Sequence, residues 1–358
     1  MKVLMISTDR KIFEYGSAVR SRMREYGKLF DELHIIVFSK EKNKTKMSDN
    51  IFVYSTNSMS KFFYIINAVK IGKKIVKTSP NNFIITTQDP FETGISGWLI
   101  AKKFKIKLQL QIHTDFLSRY FVQKSLLNRL RVVVAKFLLP KTNCIRVVSK
   151  RIADTLKTIV DDSKIQILPI FIDIEKIKNV SIKVDLRKKY PQFDFIILMS
   201  SRLEKEKNIS LAIFIMKEII KEYPKTGLII VGEGRERKSL KSQISSLKLD
   251  GNVIFDGWQN KDVLFSYYKT ADLFLLTSDY EGYGMTIIEA LAAGLPVIST
   301  DVGVAREAGA KVTERVSIKK DIIEYIGKNK EIAELKNYPY KNKQDYLEKF
   351  KKLLICVS

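Results

Sequence analysis

Short apolar runs alternate with amphipathic stretches along most of the chain, and the two periods take turns in order. "KVLMIS" (2–7) reads as a strand and 17–30 as a helix. "LHIIVFS" (33–39) is a strand, and 60–77 a helix with apolar positions at Phe62, Ile66, Val69 and Val76. "FIITT" (83–87) predicts a strand that leads through a glycine-containing loop into a helix over 94–104. "KLQLQIH" (107–113) is a strand, 122–139 a helix and "CIRVVS" (144–149) a strand. A helix over 150–159 and the strand "KIQILP" (164–169) close this first series. Strands that alternate with helices argue for a parallel, doubly wound sheet.

A second series follows. Its strands are "FIILMSS" (195–201), "GLIIVGEG" (227–234, with its turn), "NVIFDG" (252–257), "ADLFLLTS" (271–278) and "PVIST" (296–300). Helices are expected over 208–222, 235–247, 261–269 and 285–293. The stretch between the two series is weakly periodic and of mixed charge, as a connector would be. A last helix over 341–356 puts Tyr346, Phe350, Leu353 and Leu354 on one side. The expected architecture is α/β, with two Rossmann-like doubly wound domains facing across a cleft. Residues 1–169 form the first, 170–194 a linker and 195–340 the second. In such sheets ligands bind beyond the carboxyl ends of the strands. The residues placed there are Gly16, Asp89–Gly94, His113, Ser201–Lys207, Gly232–Gly234, Gly257–Trp258 and Glu281–Thr286.

Composition adds three limits. With 358 residues, 45% of them hydrophobic, the chain can bury two cores. Two cysteines, Cys144 and Cys356, are too few for a disulfide framework and point to a reducing cytoplasm. The opening apolar run is too short for a secretory leader, and no run approaches the ~18 apolar residues that span a bilayer. The net charge of +24 is uneven: residues 1–150 hold 28 Lys/Arg against 10 Asp/Glu, and 101–150 alone hold 12 against 1. The first half therefore expects an anionic partner, unless its lysines are merely solvated faces.

The second half carries the local chemistry. Arg202 and Lys207, in "SSRLEKEKN", follow a central strand. A planar guanidinium fork and a mobile ammonium together suit a diphosphate, although "EKEK" alone could be an ordinary surface loop. The stretch "EGYGMTIIEALAAGLPVIST" (281–300) opens a loop and then a helix. Gly282 and Gly284, either side of Tyr283, permit a tight turn. The first N–H groups of the helix, around Gly284, Met285 and Thr286, are an anion site that needs no side chain. Carboxylates would repel that anion, but they accept from the paired hydroxyls of a ribose or sugar ring. The spacing thus places a ribose at Glu289, a diphosphate at the helix start and a sugar at Glu281. In isolation each glutamate could instead be a helix-dipole or solvated helix carboxylate.

The same stretch resembles the E-x7-E signature of family 4 glycosyltransferases, retaining enzymes of the two-domain GT-B fold. "SRLEKEKN" is similar to their Arg-x4-Lys clamp. "IIVGEGRERKSL" and "NVIFDGWQNKDVLFSYYKTADLFLLTS" follow in the family's order, almost without gaps from about 195 to 303. From 1 to 170 the likeness is looser, with "QIHTDF" resembling the family's His loop, and the helix over 341–356 resembles one that crosses back to join the first domain. The resemblance implies sugar transfer from a nucleotide-sugar donor to a glycan or lipid-linked acceptor, with retention and without a metal or other cofactor. The chain contains no Asp-x-Asp to hold a divalent ion on a diphosphate. It implies catalytic roles for His113, beside the anomeric centre, for Glu281 on the donor sugar, and for Arg202 and Lys207 on the leaving diphosphate. Gly16 and Gly284–Thr286 would add phosphate contacts, Glu289 would take the ribose, and the base would pack near Gly232 and Gly257–Trp258–Gln259. Three features depart from the pattern. Only Gly16 remains of a glycine pair, "IFID" (170–173) keeps only Asp173, and the segment after "TDVGVAREAGA" is shortened.

Other classes fit less well. "GEGRER" (232–237) and "GYGMTI" (282–287) each lack the third glycine of a nicotinamide-cofactor loop. No P-loop occurs. A nucleic-acid binder would rest on charge alone, with no helix-turn-helix or zinc spacing. An epimerase or phosphorylase of the same fold remains open. Between 119 and 141, Arg119, Lys124, Arg129, Arg131, Lys136 and Lys141 interleave with apolar residues. That pattern fits either an interfacial helix on an anionic inner membrane surface or a helix packed on the sheet with a basic outer face. Of the two histidines, His34 is expected in a packed or surface role and not in chemistry. Asp115 is expected either at the His loop's site or as a helix N-cap.

Overall fold

A computed structural model describes residues 1–327 and 332–355. Cys356, at the end of the expected last helix, lies outside the described residues. The chain divides into two compact units, Met1–Pro169 with the segment from Tyr340 onward, and Ile170–Pro339.

The first unit is built on eight strands: β1 (Lys2–Ser7), β2 (Glu32–Val37), β3 (Lys44–Ser48), β4 (Ile51–Ser55), β5 (Phe83–Thr87), β6 (Leu108–Ile112), β7 (Cys144–Val147) and β8 (Ile165–Ile167). Their order is β3-β4-β2-β1-β5-β6-β7-β8. All pairs are parallel except β3 with β4. That hairpin escapes the hydrophobic pattern because "KTKMS" is polar; pairing with β4, not burial, makes it a strand. The central strands are buried on both faces, which explains their unbroken apolar runs.

The helix expected over 60–77 forms as Tyr64–Val76 after a short 3-10 turn, but on a rotated face. Tyr64, Ala68, Val69, Gly72 and Val76 are buried, while Phe62 and Ile66 are exposed. The small residues decide this. A Cβ at Gly72 would sit 2.4 Å from Ile100 of the helix Glu92–Phe104, so the two helices approach more closely than larger side chains would allow. The helix expected over 122–139 is two helices, Arg119–Gln123 and Leu126–Leu138. The hydroxyl of Ser125 accepts from Asn128 N–H at 3.1 Å to start the second. The last helix, Lys343–Ile355, packs into this unit: Phe350 and Leu354 are fully buried, and Tyr26 stacks on Phe350 at 4.3 Å.

The second unit has six parallel strands, β9 (Phe195–Ser200), β10 (Thr226–Val231), β11 (Val253–Gly257), β12 (Leu273–Leu276), β13 (Val297–Ser299) and β14 (Lys311–Val312), in the order β11-β10-β9-β12-β13-β14. Ile197, Met199, Ile213, Ile219, Leu228, Ile230 and Ile298 meet in its core. Residues 170–194, expected as a connector, pack as part of this unit. Ile177 and Leu186 are buried, Lys183 N–H donates to Ser266 Oγ at 2.9 Å, Leu186 N–H donates to Thr270 Oγ1 at 3.2 Å, and Arg187 pairs with Asp272. Its anchors are too widely spaced among charges to give a period. Strand order reverses at β1/β5 in the first sheet and at β9/β12 in the second. Loops diverge there and leave room for a ligand.

Candidate functional site

At the second reversal, β9 and β12 lie side by side and their following loops are tied together. Thr277 Oγ1 donates to the carbonyls of Lys207 (3.1 Å) and Asn208 (2.9 Å). Asp279 N–H donates to the Glu206 carbonyl at 2.8 Å, and Asn208 Nδ2 and Arg315 both donate to Asp279 Oδ1, at 3.2 and 2.7 Å. β10 ends against the same corner. A Cβ at Gly232, whose φ is +138°, would lie 1.9 Å from the Ser201 carbonyl oxygen. Only glycine fits, for steric and for conformational reasons.

Sequence spacing assigned Arg202 and Lys207 jointly to one anion. In the structure they differ. Lys207 is largely buried and donates to Glu281 Oε1 at 2.5 Å, an oxygen that also accepts from Ser278 Oγ at 2.9 Å. Arg202 is exposed, with its guanidinium 3.5 Å from Glu206. Glu281 thus has one oxygen committed and Oε2 without a protein partner among the described residues. It is held by a cation, not by the helix dipole alone.

The helix Met285–Ala292 starts at Gly284, with φ +90° and no side-chain cap. Tyr283 is buried, and so is Gly284, so that ring, expected at the donor, packs inward. A Cβ at Gly303 would lie 2.3 Å from the Tyr283 carbonyl, which fixes the loop from behind. Gly282, Met285 and Thr286 are partly exposed around the helix start.

Glu289 is not a solvated helix residue. It is 5% exposed, and burial pushes its carboxyl up, opposed by the Lys261 ammonium and by Tyr268. Tyr268 O–H donates to Glu289 Oε2 at 3.2 Å, which leaves Oε1 open among the described residues. Gly257 takes φ +68° at the end of β11, and Trp258 beside it is 73% exposed. Gln259 Nε2 donates to the Asp256 carbonyl at 2.8 Å.

Gly16 and His113 lie on the first unit. Gly16 (φ +77°) turns the chain between the 3-10 turn Arg10–Phe13 and the helix Ala18–Gly27. His113 follows β6 and faces a buried polar chain. Arg146 Nη1 donates to Gln111 Oε1 at 3.0 Å, and His113 Nε2 lies 3.1 Å from the same oxygen. An amide oxygen only accepts, so Nε2 carries the proton and Nδ1 is an acceptor with no partner among the described residues. Burial first, then the charges of Arg146 and Arg22, lower the His113 pKa to about 3. The imidazole is neutral at any physiological pH. His34 packs structurally, 5.0 Å from the Phe52 ring and 2.9 Å from Glu32. Asp115 does not cap a helix by its side chain; Ser118 precedes the helix Arg119–Gln123. Its carboxyl is raised by burial, against the charge of Arg151.

Four further residues belong to this neighbourhood. Ser201 Oγ is buried with no hydrogen-bond partner among the described residues. Tyr268 and Lys261 flank Glu289, and Asn208 holds φ +47° beside Lys207. Position after a strand flagged Ser201, and could have flagged Asn208 one residue beyond the stretch it marked. Tyr268 and Lys261 reach Glu289 through folding, and nothing in their local sequence marks them.

The family model for glycosyl transferases group 1 matches residues 184–351. The alpha-monoglucosyldiacylglycerol synthase of Streptococcus pneumoniae is 30% identical over 60% of this chain and 51% of its own length. The chain is thus matched to about half of that relative. The synthase of the same name from Acholeplasma laidlawii is 26% identical over 75% of this chain and 71% of its own. Among solved structures, a sucrose-phosphate synthase from Thermosynechococcus elongatus superposes with a TM-score of 0.74 at 16% identity, covering 100% of this chain and 95% of that one. Anabaena HepE, in complex with UDP, superposes with a TM-score of 0.70 at 18% identity, covering 100% and 97%. These likenesses and the two doubly wound sheets agree with one another: the chain has the α/β GT-B fold, and its residues 184–351 match the family of glycosyl transferases group 1.

Proposed function

We propose that this protein transfers a hexose from a nucleotide-sugar donor to a glycan or lipid-linked acceptor, retaining the anomeric configuration and using no metal. The observation that carries the proposal is the end of β9 and β12. There a buried Lys207–Glu281 pair, an exposed Arg202 and an uncapped helix start converge, and two carboxylates each keep one oxygen open. A diphosphate at the helix start would draw Lys207 from Glu281 and bring Arg202 in from solvent. Glu281 would then turn to a sugar hydroxyl and Glu289 to the ribose.

As the bond from the anomeric carbon to the diphosphate oxygen breaks, its electron pair leaves with the diphosphate. Lys207, Arg202 and the N–H groups after Gly284 stabilise that charge without reorganising. The acceptor hydroxyl forms the new bond to the same carbon, and its proton passes to the departing diphosphate. His113, neutral and open at Nδ1, accepts from a hydroxyl of the donor sugar. Support for a uridine donor comes from HepE, solved with UDP and with UDP and glucose. Support for a lipid acceptor comes from the two relatives named as glucosyldiacylglycerol synthases. On this reading the enzyme works in the cytoplasm, peripherally where it meets the inner face of the membrane, and has no nucleic-acid partner.

The test is thermal stability in a chelating buffer with UDP, GDP, ADP or CMP. A ligand at 100 times its Kd stabilises the native state by about 2.7 kcal/mol. The expected result is a rise in Tm with one diphosphate, lost in Arg202→Ala and Glu289→Ala. No rise with any nucleotide, from folded protein, overturns the donor site. NMR of the product anomer tests retention.

A further inference from the structure

The helix Leu126–Leu138 has two faces of different character. Asn128, Val132, Ala135 and Leu138 are buried against the first unit. On the other side Leu126 (78% exposed), Leu130 (59%), Val133 (64%) and Phe137 (50%) stand in solvent, with Leu127 and Leu99 beside them. Their spacing of four, three and four residues places them on one stripe of the helix. The outer face is therefore apolar as well as basic. Monomeric proteins leave single apolar side chains exposed as a matter of course, but a contiguous stripe of this kind marks a contact surface.

The charges around the stripe have one sign. Lys102, Lys103, Lys124, Arg129, Lys136 and Lys141 are all exposed. Between Glu92 and Asp154 the sequence holds a single acidic residue, Asp115, and Glu92 is itself engaged by Arg131 at 2.8–3.3 Å. The aromatic end of the stripe is capped by lysines: Lys141 Nζ lies 3.8 Å from the Phe137 ring centre and Lys102 Nζ 5.2 Å from that of Trp98, whose ring meets Phe137 edge-on at 5.6 Å. Long stems that run along apolar rings and end in ammonium groups suit a boundary with hydrocarbon on one side and anions on the other.

We propose that this stripe is a docking surface for an anionic lipid bilayer, with the four apolar side chains entering the acyl boundary and the lysines meeting headgroup phosphates. A lipid surface fits better than a protein because the segment's cations are almost unmixed with acidic residues in sequence, and a protein partner would need such a mixture to set a register, whereas a headgroup layer needs none. The proposal rests on the first unit alone and is independent of the donor reading.

The experiment uses the full chain and co-sedimentation with vesicles of phosphatidylcholine, with and without phosphatidylglycerol, at low and high salt. Leu130→Ser/Val133→Ser removes apolar contact and Lys136→Glu/Lys141→Glu removes charge. Both pairs are exposed, and unchanged melting curves verify the fold. Lys238→Glu/Lys241→Glu, on an exposed helix of the second unit, makes the same change in net charge elsewhere. The expected result is binding to anionic vesicles only. It weakens at least tenfold in the apolar pair and about fivefold per lysine in the basic pair, and is unchanged in the control pair. No binding to anionic vesicles at low salt overturns the proposal. So does equal loss in the control pair. A wild-type dimer that Leu130→Ser/Val133→Ser turns into a monomer also overturns it, because a second copy would then cover the stripe. A nucleotide-induced rise in Tm that survives any of these outcomes leaves the donor reading standing.

Discussion

The carboxyl ends of the two sheets hold their cations by different means. In the second unit Lys207 is held by Glu281, Arg315 by Asp279, and Arg202 loosely by Glu206. In the first unit Arg146, 3% exposed, is held by the Leu168 carbonyl, the Gln111 amide oxygen and the Tyr346 hydroxyl, and it lies over the Phe350 ring. None of these partners is a carboxylate. A cation paired with a carboxylate is already neutralised and exchanges partners when a stronger anion arrives. A cation held by neutral dipoles keeps its whole charge and imposes a standing field. The second unit is thus equipped to respond to an anion. In the first, that charge adds to burial in keeping its neighbour His113 unprotonated.

The largest effect is expected at the exchangeable pair. Lys207→Ala removes one preformed stabiliser of the leaving diphosphate and should lower kcat/KM about 10²–10³-fold. Near-normal turnover in that variant would mean the pair is only structural. Next is Gly232→Ala, which puts a methyl group into the Ser201 carbonyl and strains a positive φ. A loss of at least about 2 kcal/mol in urea unfolding is expected, and a smaller loss would mean the corner can relax.

Burial of His113, with the field of Arg146 added to it, has a pH signature. Native His113 resists a proton that the unfolded chain accepts, so its contribution to stability is complete above about pH 6.5. It is lost as pH falls towards the folded value of about 3, at up to about 1.4 kcal/mol per unit. Asp89, raised by burial to about 6, acts oppositely: the native state keeps a proton that the unfolded chain releases, so it loses stability as pH rises from about 4 to 6. Urea unfolding of His113→Gln against wild type at pH 5 and pH 7 isolates the first term; the variant should lose less on acidification. Equal losses in the two proteins would mean that native His113 takes a proton as readily as the unfolded chain does. The smallest effect is expected for Tyr346→Phe, which deletes one acceptor of Arg146. About 1 kcal/mol of stability should go, with the nucleotide-induced shift in Tm unchanged.

These differences explain what the chain discloses as a sequence. The second unit's strands, glycines and charged residues stand close together in order, and their identities follow from local needs: Gly284 for a left-handed turn, Lys207 a few residues after β9. Arg146 and its phenol partner are 200 residues apart, and neither looks unusual where it stands. The hairpin β3–β4 and the burial of Glu289 were likewise hidden, one because pairing made the strand, the other because the covering Tyr268 comes from another helix. Charge in the first unit was visible from composition. That the stripe on Leu126–Leu138 faces outward was not, since exposed and buried apolar residues read alike until the helix has a neighbour.

The last helix has a consequence for how the protein is made. Tyr26 bonds to Tyr346 across 320 positions, and Phe30 and Tyr26 both lie against Phe350. The second unit is continuous in the chain and leaves the ribosome whole. The unit that is begun first is therefore completed last. Throughout translation of the second unit, the nascent chain carries an aromatic slot awaiting that helix, and in this interval chaperones have most to cover.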